Sequence, residues 1–107
     1  MYILKMEGSS IEFEWDEAKA LSNLEKHHID FRDAVTIFDG DVLTAPDERE
    51  DYGEQRDIAV GCMHGIEIVL ICTERGERIR VISARRANRH ERENYRNAVA
   101  ATKSREQ

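Results

Sequence analysis

The stretch RDIAVGCMHGIEIVLICTERGERIRVISARR, Arg56–Arg86, decides the fold of this 107-residue chain. Arg56, Ile58, Val60 and Cys62 recur at every second position, the period of a half-buried strand. Ile66–Thr73 is apolar almost throughout, Glu67 excepted, which places it mid-sheet with both faces covered. Ile79, Val81 and Ser83 alternate again. Gly65 and Gly76 mark the turns between these runs, so the stretch predicts three antiparallel strands in a meander. On the last of them Arg78 and Arg80 share a face with Ile82, opposite Ile79 and Val81.

Upstream, Tyr2-Ile3-Leu4 is an optional edge strand and Gly8-Ser9-Ser10 reads as a flexible joint. Ile11, Phe13 and Trp15 alternate with Glu12 and Glu14 as a further strand. Asp16 is an N-cap for a helix over about Glu17–His27, with Ala18, Leu21 and Leu24 or Glu25 at helical spacing. His28 falls where a C-terminal glycine is usual, and histidine tolerates the left-handed conformation that a cap needs. Asp30 caps a second helix carrying Phe31, Ala34, Val35 and Phe38 on one face, ended by Gly40. Val42–Ala45 is a short strand, followed by an acidic loop from Pro46 to Gly53. Downstream, Asn88 and Glu91 form a capping box for a closing helix that lays Tyr95, Ala98, Val99 and Thr102 on the core. The expected fold is therefore α+β, an antiparallel meander packed against two N-terminal helices and one C-terminal helix. It forms a single domain over 1–107, with 1–10 an N-terminal extension and a core of about 11–103.

The chain is acidic, at formal net charge -6, yet Glu74–Arg96 holds eight arginines against four glutamates. Residues 1–54 carry net -10 and residues 55–107 net +4. Such asymmetry implies two surfaces with different partners, one of them anionic. The basic residues of the block are all arginine, whose planar fork suits phosphate and carboxylate. No apolar run reaches bilayer-spanning length, and Met1–Ser10 lacks the apolar stretch of a secretory signal. Cys62 and Cys72 sit in apolar stretches with no paired metal spacing and read as reduced core residues. The expected location is the cytoplasm, with no membrane partner and no cofactor.

Several side chains are candidates for chemistry. Arg85 and Arg86 lie in the link between the last strand and the closing helix, with no obvious local acid partner. A helix N-terminus attracts anions, so this pair is the expected phosphate site. Arg78 and Arg80 on the strand and Arg89 on the helix extend it, although Arg89 also has Glu93 one turn on. Lys26 and His27 end the first helix. His27 is either a general acid or base or a histidine meeting the last helical carbonyls. No second ligand stands at metal spacing, so no metal site is expected. Glu54 and Arg56 are an ion pair, a substrate clamp or an acid/base pair. Tyr95 is a core residue or a proton donor to the basic cleft.

Five segments, taken in order, carry a resemblance. They are F-E-W-D (Phe13–Asp16), N-L-x-K-H-x-I-x-F (Asn23–Phe31), E-x-R (Glu54–Arg56), T-E-R-G-x-R-I-R-x-I-S-A-R-R-A (Thr73–Ala87) and R-x-E-R-x-x-Y (Arg89–Tyr95). Together they resemble the BrnT family of type II toxin–antitoxin toxins over about residues 11–100. The resemblance implies a RelE-like fold and a ribonuclease that halts translation. It also implies a BrnA-like ribbon–helix–helix antitoxin, bound in a heterotetramer and reaching DNA only through that antitoxin. The chain departs from the family in its acidic charge, in His28 where glycine is typical, and in about ten extra N-terminal residues. As a metal-independent endoribonuclease, it would use Arg85 and Arg86, helped by Arg78 or Arg80, to stabilise the phosphorane. The base would be His27 or Glu54 and the acid His27 or Tyr95, with Lys26, Arg56 and Arg89 binding RNA phosphates. The alternative is a non-catalytic module whose arginine surface docks an acidic partner segment or RNA.

Overall fold

The computed structural model describes residues 2–5, 11–49, 51 and 53–105. The Gly8-Ser9-Ser10 joint, and Glu50 and Tyr52 of the acidic loop, lie outside the described residues. Three strands form the meander: β4 Arg56–Met63, β5 Ile66–Arg75 and β6 Arg78–Arg86. Ahead of them run β1 Tyr2–Lys5, β2 Glu12–Trp15, α1 Glu17–His27, α2 Phe31–Ala34 and β3 Leu43–Asp47, and α3 Arg89–Arg105 follows. The six strands stand in the order β1-β2-β6-β5-β4-β3. All pairings are antiparallel except that of β2 with β6. The sheet is thus mixed, where a purely antiparallel one was expected.

β5 lies inside the sheet and is buried on both faces, as its apolar run requires. Its even-numbered residues Ile68, Leu70 and Cys72 join Phe13, Trp15, Val81 and Ala84 in one core, closed by Ile29, Phe31, Ala34, Val35 and Ile37. Its odd-numbered Val69 and Ile71 join Val60, Ala87 and Tyr95 in a second core, with Ile58, Ile82 and Val99 packed against it. The helical segments 17–39 and α3 therefore cover opposite faces. Gly61 permits one close approach on the first face, because a Cβ there would lie 2.7 Å from Ile37 Cβ.

Both expected caps of the first two helices form. Asp16 accepts from the backbone of Ala18 and Lys19, and Asp30 from that of Arg32. His28 adopts the left-handed conformation, φ 59°, and its N–H closes on Leu24. The helix that Asp30 opens stays α-helical only to Ala34 and tightens to a 3₁₀ segment over Val35–Asp39. The β-branched Val35, Thr36 and Ile37 favour α-helix weakly, which fits this tightening.

Other expectations are corrected. Leu21 and Leu24 are 66% and 41% exposed, and α1 instead buries Asn23 with Ala20 half-buried. Asn23 sets this rotation. Its Nδ2 donates to the carbonyls of Ala84 at 2.9 Å and Ile29 at 3.2 Å, and Ala84 N–H donates back to its Oδ1 at 3.0 Å. Satisfying buried backbone groups outweighs burying one leucine stripe. β3 begins one residue later than expected and ends two later, taking in Pro46 and Asp47, which an edge strand permits. Cys62 is exposed rather than core, whereas Cys72 is buried and its thiol is pushed up to about 12 by that burial. Ile82 is displaced by a bulge: Ile71 pairs with Ser83 while Cys72 pairs with Val81.

Candidate functional site

α3 covers only part of the second sheet face. Where the apolar residues stop, every strand from β2 to β3 places a polar side chain on that face, following the period of two. Register fixes the row. Glu14 lies opposite Arg80, Arg80 opposite Thr73, and Arg56 opposite Asp47. The Thr73 hydroxyl closes the remaining gap by donating to the Gln55 carbonyl at 2.6 Å. Across the sheet the order is Glu14, Arg80, Thr73, Arg56, Asp47, so two cations flank a neutral hydroxyl and two carboxylates flank the cations. Glu14, Thr73 and Asp47 are buried, and the side chains of Arg80 and Arg56 are 25% and 23% exposed. At the usual strand spacing the two arginine backbones stand roughly 10 Å apart.

Electrostatics distinguish the two arginines. Arg56 meets Glu54 at 3.5 Å. Arg80 meets Glu14 only at 4.0 Å, beyond hydrogen-bond reach. No protein hydrogen bond engages the Arg80 guanidinium among the described residues. Toward the strand ends, Arg78 pairs with Arg75 in register and donates to Glu12 at 3.0 Å. A depression of about 690 Å³ adjoins this end, lined by Glu54, Asp57, Thr73, Glu74 and Arg75. Its three carboxylates make it a poor phosphate pocket despite its size.

Arg85 and Arg86, expected in the link, are instead the last two residues of β6, opposite Val69 and Ile68 of β5, and they behave differently from expectation. Arg85 does have an acid partner. Its Nη1 and Nη2 donate to Oε1 and Oε2 of Glu91, each at 2.8 Å. Glu91 Oε1 also accepts from Asn88 N–H at 2.8 Å, and Glu91 N–H donates to Asn88 Oδ1 at 2.9 Å, completing the capping box. One carboxylate thus serves both the helix N-terminus and the arginine fork, and so occupies the place foreseen for an incoming anion. The Arg85 hydrogen bonds hold the Glu91 carboxyl below its ordinary range and raise the guanidinium in return. Arg86 is exposed and has no acid partner among the described residues. Arg89 pairs with Glu93 at 3.1 Å, one turn on.

Tyr95 is buried and its hydroxyl donates to the Asp41 carbonyl at 2.8 Å, tying α3 to the segment before β3. Burial raises its ionisation above the ordinary tyrosine value. Lys26 and His27 are exposed on the last turn of α1, where they line a groove with Asn23, Ile82 and Ser83. The structure therefore brings Glu54, Arg56, Arg78 and Arg80 together on one open sheet face. Lys26 and His27 stand at the edge of β6, Arg85 meets the start of α3 through Glu91, and Arg89 and Tyr95 belong to α3 itself.

Sequence reasoning missed Glu14, Thr73, Asp47, Asn23 and the second role of Glu91. A signal existed for Glu14: the alternation of β2 already sets Glu12 and Glu14 on the face opposite Phe13 and Trp15. What was lacking was the pairing of β2 with β6, which makes that face the arginine face.

Fold and site together define an α+β protein with an arginine-bearing sheet face suited to anionic ligands. No helix among the described residues is long and apolar enough to cross a membrane. Residues 15–91 match the family described as "Ribonuclease toxin, BrnT, of type II toxin-antitoxin system", and the chain belongs to that family. A comparison with curated proteins returns no match. The matched span includes Asn23, Arg56, Thr73, Arg80 and Glu91, and stops one residue short of Glu14. Membership makes the chain a toxin of the ribonuclease type and implies an antitoxin partner.

Proposed function

We propose that this toxin cleaves RNA without a metal, on the open face of its sheet. The reading rests on the row in which Arg56 and Arg80, each half-buried, flank Thr73. The 2′-hydroxyl of one nucleotide loses its proton to a base, the 2′-oxygen attacks phosphorus, and the 5′-oxygen leaves with a proton from an acid. The products are a 2′,3′-cyclic phosphate and a free 5′-hydroxyl. Arg80 and Arg56 stabilise the charge that develops on the phosphorane, the role first expected of Arg85 and Arg86. The Arg85 fork is already engaged by Glu91. Carboxylates of this face supply the base, Glu14 beside Arg80 or Glu54 beside Arg56, and His27 at the edge of β6 supplies the acid. Tyr95 is left out because its proton is directed at Asp41.

Loss of translation, neutralisation by a BrnA-like ribbon–helix–helix antitoxin in a heterotetramer, a RelE-like fold and a cytoplasmic location belong to the same proposal. The test is incubation of the purified chain with RNA in EDTA between about pH 6 and 9. Wild type is expected to cut, and Arg80→Ala to cut about 10²- to 10³-fold more slowly, the loss typical for a transition-state charge donor. Uncut RNA with wild type at every pH would overturn the proposal.

One observation favours a second reading. Among the described residues seven arginines pair with carboxylates, which supports a surface suited to acidic groups. A pure docking module would lose antitoxin affinity on Arg85→Ala while neither form cuts RNA.

A further inference from the structure

The pairing of so many arginines raises the question of where positive charge stays unneutralised. β2 pairs with β6 from Arg78 only as far as Arg80, and Asn23 grips β6 again at Ala84. Between these points α1, not a strand, lies along β6. The resulting groove holds about 200 Å³ and is lined by Lys19, Ser22, Asn23, Lys26, His27 and Ser83, together with Ile82. Among the described residues, no carboxylate lines it. Lys19 and Lys26 have no ion-pair partner among the described residues, unlike Arg56, Arg78 and Arg80 of the sheet. They stand seven positions apart, two turns along one helix face and roughly 10 Å along its axis. The groove begins at Ile82, two residues beyond Arg80 on the same strand, so about 6–7 Å from the arginine row.

We propose that this groove carries the sugar–phosphate backbone of single-stranded RNA away from the cleavage row, with Lys19 and Lys26 on successive phosphates and Ser22 and Ser83 as hydrogen-bond partners. The inference rests on the RNA-cleaving reading above and adds the path of the strand. Two spaced ammonium groups, compact point charges on flexible stems, suit a repeating anionic chain better than one bidentate carboxylate. The only aromatic ring among the described lining residues is the imidazole of His27, so contacts to the strand's backbone dominate and the groove adds affinity with little sequence preference.

The test is fluorescence anisotropy of the full chain with a labelled 2′-O-methyl oligonucleotide of about twelve nucleotides, which cannot be cleaved, over a range of salt. Lys19→Glu with Lys26→Glu is expected to weaken binding at least about tenfold and to lower the salt slope by about 1.4, the release expected from two single-strand phosphates. Lys103→Glu, the same charge reversal on an exposed part of α3, is expected to change neither. Circular dichroism confirms that each variant folds. A double variant that binds like wild type while Arg80→Ala loses cleavage overturns the groove alone. Wild type that neither binds the oligonucleotide nor cuts RNA overturns the groove together with the cleavage reading. Loss of binding to a glutamate-rich peptide, with oligonucleotide binding intact, overturns it in favour of a protein ligand.

Discussion

Beyond Arg80, β6 has no strand on one side, and the carboxamide of Asn23 takes that place. It accepts from the N–H of Ala84 and donates to its carbonyl, as a neighbouring strand residue would. A buried polar group left without a partner costs about 1–3 kcal/mol, and Asn23→Ala orphans the N–H of Ala84 and weakens two carbonyls. The expected loss in urea unfolding is about 2–4 kcal/mol. Asn23→Asp should be nearly as damaging, because it keeps the acceptor and removes both donors. A variant within about 0.5 kcal/mol of wild type, the range of ordinary surface substitutions, would show that the contact is ornamental. Nothing local in the sequence announces this role. Asn23 stands inside a helix with leucines either side, and its partner lies 61 positions away.

α3 is held at its start by a carboxylate with two duties. Because Arg85 hydrogen bonds lower the Glu91 carboxyl in the folded chain, its contribution to stability is present above the ordinary carboxyl value of 4.5. It is lost as pH falls through the lower folded value. Glu91→Gln removes that charge at every pH. Wild type should therefore melt several degrees above Glu91→Gln at neutral pH, about 4–8 °C if the difference is near 1 kcal/mol. The gap should narrow as the pH is lowered below the ordinary carboxyl range. Melting curves followed by circular dichroism decide it, and a gap of equal size at both pH values would refute the assignment. At this scale the sequence was legible where pattern is local. The capping box, the three-strand meander and the His28 cap all follow from neighbours within a few residues. Glu91 as the partner of Arg85 was not, because its part in the cap hid the second oxygen. The leucines of α1 misled for a related reason: periodicity names a face but not the surface it meets, and here that surface is a polar strand edge.

The two cores of the molecule are the two faces of β5. Neither face can lose its cover without exposing a strand that also supports the other, so the described domain should unfold in one step. Trp15 reports the first core, and the helical ellipticity includes α3 over the second. Their denaturation midpoints should coincide. A separate, earlier loss of ellipticity would mean that α3 comes away as an independent unit. Charge also resolves at this scale. Part of the contrast between the acidic first half and the basic second half is cancelled across elements. Arg78 and Arg80 meet Glu12 and Glu14 of β2. Composition alone separates these residues into two surfaces, whereas the sheet interleaves them. The arginine row was thus half legible: its cations stood out in the sequence, while the carboxylates that frame them depend on strand order.

The parallel alliance of β2 with β6 has a consequence in time. Glu12 must wait for Arg78, 66 positions later, before its strand has a neighbour on that side. A chain made from its N-terminus exposes β2 long before β6 exists, and contacts between such distant segments form slowly. The row that joins Glu14 to Arg80 is consequently among the last features to assemble. A nascent chain halted anywhere before β6 has no such row, so the cleavage proposed for it would begin only when synthesis is nearly done.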